Sequence, residues 1–426
     1  MARVVFFGFP AYGHTNPTLP VVKELIARGE EVYYYSSEEF RGKIESAGAI
    51  FREYKIQRRE VLIPLSGVTL EELRSATVLD FNKIIETFVN NLGIYSEVMI
   101  HSPVDLTQEV RELNPDYIIH DSHAGWGKVI ARRLGIPGIA SVTIFAYCDR
   151  VMEEQPEFVI RNVLSLSDEF LKNIPATRKM LRRVSTIIEH LYNIDHYDCI
   201  DHNFSQEDLN IVYTSREFQL FSGLFDSRFQ FVGPSIMPRA DSEPFPLEKL
   251  AGKKVIYISL GSIFSHFFDY AGLFRRCIEA FCDTDYEVVL AAGKIDPAGL
   301  GEIPANFTVR SFVPQLEILE RASLFITHAG MNSTNEALYH YVPLIVIPQG
   351  WDQFLVARRV EELGVGIYLR DLDFSVAGLR EAVYQIMNDD TYRRNCQKIG
   401  DSLRAAGGYK RAADEIFAYK ERNYQT

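Results

Sequence analysis

Leu324-Phe325-Ile326-Thr327-His328-Ala329-Gly330-Met331-Asn332-Ser333-Thr334-Asn335-Glu336-Ala337-Leu338 is the stretch that decides the fold. Leu324 to Thr327 reads as a buried strand, a glycine-bearing turn follows, and a helix opens on small polar residues. A strand feeding a helix through such a turn is the building unit of a parallel α/β sheet. The same geometry makes an anion site, because the first backbone N–H groups of the helix lack partners and the helix dipole is positive there. Ser333 and Thr334 add hydroxyl donors, and His328 adds an imidazole at the same point. A diphosphate suits that donor set.

The flanks extend the pattern. Upstream lie Phe312, Val313, Pro314 and Gln315; downstream, Val342 to Pro348 reads as a buried strand delivering Gln349, Gly350, Trp351, Asp352 and Gln353. Ligands of doubly wound sheets bind at the carboxyl ends of the strands, so Asp352 and Gln353 would face whatever the diphosphate carries. A carboxylate beside an amide is suited to sugar hydroxyls.

Working outward, short apolar runs alternate with amphipathic helical stretches in two series. The second series opens with Val255 to Leu260, running into Gly261 and Ser262, and continues through Glu287–Ala291, Phe307–Arg310, Leu324–Thr327 and Leu344–Ile347. The first opens with Val4–Phe9 as a core strand, passes a Gly/Pro loop and enters a helix from about Thr18 to Arg28. It continues with a strand Glu31–Tyr35, a strand Tyr117–His120 ending at Asp121, a helix to Leu134, and a strand toward Val142. Between the series, Gly233 to Arg239 and the polar stretch up to Lys254 read as a linker. The expected division is residues 1–235, residues 236–405, and a terminal helix within 406–426 packing back toward the first unit. Val151 to Asn203 interrupts the alternation and is expected to be mostly helical, either an insertion that shapes a pocket or plain core helices.

Composition agrees with this plan and excludes several classes. At 426 residues and 47% hydrophobic, the chain exceeds what one core usually organises. A net charge of -12 argues against nucleic-acid phosphate as the main partner. The longest apolar runs fall far short of the roughly 20 residues a membrane span needs. Five scattered cysteines with no CxxC pair suggest reduced thiols in a cytoplasm. Asp283-Thr284-Asp285 and Asp371-Leu372-Asp373 have no histidine partner, so no metal is expected.

The window from Phe312 to Gln353 resembles the donor-binding signature of the family 1 glycosyltransferases, most closely the bacterial macrolide and flavonoid glucosyltransferase branch. The likeness covers nearly the whole chain, with Gly13-His14-Thr15-Asn16-Pro17 near the start and Tyr257-Ile258-Ser259-Leu260-Gly261-Ser262 opening the second half. It implies the α/β GT-B fold, two Rossmann-like doubly wound domains facing a central cleft, and an inverting, metal-independent transfer of a hexose from a UDP-sugar to a small apolar acceptor, with no cofactor. By that resemblance Phe312 stacks on the base with Val313 beside it, and Gln315 reads the ribose or base. His328, Gly330, Asn332, Ser333 and Thr334 meet the diphosphate with Ser262, Glu336 holds the ribose hydroxyls, and Asp352 and Gln353 bind the sugar. His14 is the general base and Asp121 orients it; the chemistry agrees, since an alcohol is a poor nucleophile until a base near neutral pKa takes its proton. A nucleotide-sugar epimerase of the same fold and a non-catalytic helper are the alternatives. The acceptor pocket is expected around Lys55–Ser102 and Phe145–Phe204.

Overall fold

In the computed structural model the described residues are 2–54, 106–163, 168–179, 182, 186, 206–239, 245–261, 270–350, 352–372 and 374–424. They form two parallel sheets. The first has seven strands in the order β3-β2-β1-β4-β5-β6-β7: β1 Arg3–Phe7, β2 Glu31–Ser36, β3 Ile50–Glu53, β4 Tyr117–Asp121, β5 Gly138–Val142, β6 Asn210–Val212 and β7 Phe229–Phe231. The second has six, ordered β10-β9-β8-β11-β12-β13: β8 Val255–Ser259, β9 Glu287–Ala291, β10 Phe307–Arg310, β11 Ala322–Thr327, β12 Leu344–Val346 and β13 Gly366–Tyr368. Both orders reverse at one point, between β1 and β4 and between β8 and β11. Doubly wound sheets open a ligand crevice there.

The strands are apolar on both faces because helices cover both. Val4 and Phe6 pack with Val21, Val22 and Leu25 of helix α1 (Tyr12–Ala27), while Val5 and Phe7 pack on the other side with Trp126 and Ile130 of α2 (Gly125–Leu134). Each fully buried aliphatic or aromatic side chain contributes about 1.5–3 kcal/mol. The terminal helix, Gly408–Tyr424, lies on α1: Ala412, Ala413, Ile416 and Tyr419 join the cluster of Val4 and Phe6, and Lys420 pairs with Glu30 at 2.6 Å.

Helix α1 starts at Tyr12 rather than near Thr18, which corrects the sequence expectation. Pro17 and Pro20 read as reasons to delay the helix, since each lacks the N–H that would reach the carbonyl four residues back. Both are buried with Thr15, Thr18 and Val21, and this packing outweighs two missing bonds. His14 consequently stands in the first turn of a helix instead of a loop.

The two sheets are joined through polar contacts, those of Asn335 buried and those of Arg359 nearer the surface. Asn335 accepts from the Thr214 hydroxyl at 2.9 Å and donates to the Tyr213 carbonyl at 3.1 Å, while Arg359 donates to the Phe218 and Glu217 carbonyls. Satisfied buried contacts such as those of Asn335 fix one arrangement of the facing edges. Part of the insertion is helical as expected, with short helices Asp149–Glu154 and Pro156–Phe158 and a single π turn at Val159–Val163. A 3-10 turn at Asp168–Asn173 runs into a helical stretch at 174–179; most of the remainder up to Asn203, and all of Lys55–Ser102, lie outside the described residues. Among the described residues no helix is long and apolar enough to cross a membrane.

Candidate active site

The carboxyl ends of β1, β4 and β5 are neighbours in register, with Phe7 opposite His120 and Asp121 opposite Ser141. This places the first turn of α1, the end of β4 and the residue just past β5 side by side. His14 Nδ1 lies 3.0 and 3.1 Å from the two Asp121 oxygens, and the Thr143 hydroxyl is 2.7 Å from the same nitrogen and donates to Asp121 at 3.3 Å. Asp121 is 1% exposed and also accepts from the His123 backbone N–H at 2.8 Å. With Nδ1–H donated to the carboxylate, Nε2 of His14 is the basic nitrogen.

The electrostatics suit a base. Burial disfavours the His14 cation, but the charge and hydrogen bond of Asp121, with Asp352 behind them, outweigh it and raise the pKa above the usual 6.5. Burial likewise works against the Asp121 anion, yet His14 and His123 hold its carboxyl below the usual range. His123, whose ring stands 5.0 Å from that of His14, is pushed down to about 4 by burial and by that neighbour, so it is neutral near pH 7. His14, Asp121 and His123 present ligand-type atoms within 4.8 Å of one another. The Asp121 oxygens are already engaged by His14, Thr143 and the His123 N–H, an arrangement that manages a proton.

Across from this group stands the edge of the second sheet. Helix α3 (Met331–Tyr339) starts from Gly330, directly after β11, and Ala329 adopts the left-handed conformation at φ 64°. A left-handed alanine costs of order 1 kcal/mol and persists only where the surroundings fix it. Here the His328 ring fixes the turn: a Cβ on Gly261, itself at φ 78°, would fall 2.8 Å from Nε2, and one on Gly330 would come closer still. Both positions therefore need glycine. Burial pushes His328 down to about 4 despite the hydrogen bond it donates to the Ser259 backbone carbonyl, which raises it, so this imidazole is neutral.

One and a half turns into α3, Glu336 is 1% exposed and fully engaged on one oxygen. Asn332 donates to Oε1 at 2.8 Å, Arg239 from the linker donates to the same oxygen, and Gln315 donates to Oε2 at 2.6 Å. Gln315 also donates to Ser333 at 3.4 Å and accepts from the Tyr257 hydroxyl at 3.0 Å. The Thr334 hydroxyl is buried without a protein partner. Val313 packs against the core, while Phe312 is 61% exposed and its ring stands 6.4 Å from Tyr12 of the first sheet's unit. After β12, Asp352 stands immediately before α4 (Gln353–Glu362), and burial raises its pKa while His14 pulls it back; Gln353 accepts from the Gln349 N–H at 2.9 Å.

The structure thus brings the sequence-expected residues to two facing clusters. His14 and Asp121 are in hydrogen-bond contact, and Gln315, Asn332, Ser333 and Glu336 form one network. The charge of Asp352 helps raise the His14 pKa, and that of His14 offsets the rise that burial imposes on Asp352. Ser262 lies outside the described residues. Thr143, His123, Tyr12 and Arg239 were not singled out from sequence. Thr143 follows β5 as Asp121 closes β4, so the strand-end rule could have found it; a lone linker arginine carries no such signal.

Two doubly wound sheets with a histidine–aspartate pair on one edge and a glycine-led helix start on the other define a GT-B glycosyltransferase. The chain belongs to the family 1 glycosyltransferases, in their bacterial branch. Residues 275–411 match the C-terminal domain of erythromycin biosynthesis protein CIII-like proteins. The chain is 38% identical to the UDP-glucosyltransferase YojK of Bacillus subtilis (strain 168), over 98% of this chain and 97% of that one. It is 34% identical to the NDP-glycosyltransferase YjiC of the same organism, over 99% and 98%. Among solved structures it resembles the calicheamicin glycosyltransferase CalG4, with a TM-score of 0.76, 26% identity and coverage of 100% of this chain and 99% of that one.

Proposed function

We propose that this glycosyltransferase moves a hexose, glucose by preference, from a UDP-sugar to a hydroxyl of a small apolar acceptor, with inversion and without a metal. The observation that carries this reading is the His14–Asp121 pair at 3.0 Å, whose carboxylate is buried. In the proposed step Nε2 of His14 takes the acceptor hydroxyl proton as the oxygen attacks C1 of the α-linked sugar. The C1–O bond to the β-phosphate breaks, and the charge on the departing UDP is met by the N-terminus of α3, with Ser333, Thr334 and His328 at hand. Asp121 stabilises the imidazolium that forms. One base suffices for a direct displacement, so the mechanism needs no carboxylate nucleophile.

Phe312 offers a face for the base, Gln315 and Glu336 hydrogen bonds for the ribose, and Asp352 and Gln353 the sugar hydroxyls. The acceptor is read as a macrolide, flavonoid or polyketide. Support comes from the erythromycin and calicheamicin pathways in the names of the similar proteins. The buried unpaired thiols of Cys148, Cys277 and Cys396 fit a cytoplasmic setting. The epimerase and helper readings are not favoured, because the similar proteins are named as transferases and neither His14, Asp121 nor Glu336 is missing. The product formed from UDP-glucose and a phenolic acceptor in EDTA tests the stereochemistry: a large H1–H2 coupling in its NMR spectrum, the mark of a β-glucoside, is expected, and an α-glucoside would refute the single-displacement mechanism.

A further inference from the structure

Glu336 poses an electrostatic problem. It is the sixth residue of α3, so it lies about 7–8 Å along the axis from the helix start that would receive a diphosphate. A buried carboxylate that close repels an incoming polyanion, and little water is available to screen the two. Among the described residues the cation paired with it is Arg239. Arg239 belongs to neither sheet: it stands on the linker after β7, in a segment without helix or strand, with 27% of its side chain exposed.

The hydrogen bonds make the conflict specific. Oε1 of Glu336 holds both Arg239 and Asn332, and Oε2 holds Gln315. A ribose that places two hydroxyls on this carboxylate needs the position Arg239 occupies. A neutral hydroxyl does not displace a guanidinium from a buried carboxylate unaided, because the charge-assisted bond is stronger and the cation would be left unpaired. The diphosphate resolves this, since it brings a second anion to the helix start. Arg239 is already one shared oxygen away from Asn332, the second residue of that helix.

We propose that Arg239 is a further donor-site residue, which exchanges Glu336 for the phosphate charge of the donor as the ribose arrives. The inference rests on the donor-site reading given above. Its consequence is selectivity: ribose recognition at Glu336 becomes available in step with phosphate binding, so the site discriminates a nucleoside diphosphate from the bare nucleoside. The guanidinium can turn between the two anions because its backbone is linker, and its planar fork can bridge a carboxylate and a phosphate during the exchange.

Calorimetric titration of UDP and of uridine into the wild type, Arg239→Gln and Arg239→Lys tests this. The expected result is that Arg239→Gln weakens UDP binding about tenfold or more while uridine binds as well as or better than to the wild type. Arg239→Lys, which keeps the charge, recovers most of the UDP affinity and guards against a variant that merely folds poorly. Equal weakening of both ligands would overturn the proposal, leaving Arg239 as a prop for Glu336. Tightening of both would reduce it to an obstruction, and no change in either would remove it from the site. A wild type that bound UDP no better than uridine would instead sink the donor-site reading itself.

Discussion

His14 is the residue on which most chemistry converges, and its surroundings give it a testable signature. Its folded pKa lies above 6.5, and only the neutral imidazole can accept a proton, so activity should rise with pH through a value above 6.5. Asp121 is the main stabiliser of the cation. Asp121→Asn should therefore move this acid limb to lower pH, because burial is then opposed by Asp352 alone, and should lower kcat/KM by about two orders of magnitude or more through loss of the orienting bond. A pH–rate profile reads both effects; an unmoved limb would show that another group titrates. Thr143 shares the same nitrogen at 2.7 Å. Thr143→Val, which keeps the shape but removes the hydroxyl, is expected to reduce kcat by about tenfold with little change in UDP affinity, as measured by steady-state kinetics and titration.

At the scale of elements, the turn from β11 into α3 depends on the absence of side chains under His328. Gly330→Ala places a methyl group against the ring although its φ of -65° suits any residue, so the expected damage is steric and local. UDP affinity should fall about tenfold or more, while α3 stays folded against the core; an unchanged dissociation constant would show that the turn does not hold the diphosphate. This element was legible because strand, turn and helix start all announce themselves in order, and Glu287–Ala291 and Phe307–Arg310 match their strands to the residue for the same reason. The three-residue strands Asn210–Val212 and Gly366–Tyr368 were not, because neither sits in a longer apolar or alternating run that gives a periodicity to read. The start of α1 was misplaced because proline is a local signal and its burial is a tertiary one. Thr143 and Arg239 escaped for a related reason: their significance lies in partners 129 and 97 residues away in sequence, at His14 and Glu336.

At the scale of the molecule, neither sheet alone carries the reaction. In the proposed mechanism the base belongs to the first and the diphosphate and sugar residues to the second, and the charge of Asp352 helps raise the pKa of His14. The α/β class and the two strand series were open to sequence reasoning because doubly wound sheets repeat one supersecondary unit. The acceptor was not, since apolar residues that line a pocket and those that fill a core have the same composition. Donor binding without metal should be visible in the stability of the chain: at UDP a hundredfold above its dissociation constant, with EDTA present, the folded state gains about 2.7 kcal/mol, read as a rise in Tm. A Tm that rises only after a divalent ion is added would contradict a metal-free donor site.

The central claim is that His14 activates an acceptor for attack on a nucleotide sugar bound at α3. Release of UDP from UDP-glucose, followed in EDTA with and without a panel of phenolic and macrolide acceptors, tests it in wild type and His14→Ala. The account predicts acceptor-dependent release by the wild type and its collapse in a variant that still binds UDP. Undiminished acceptor-dependent release by His14→Ala would contradict it.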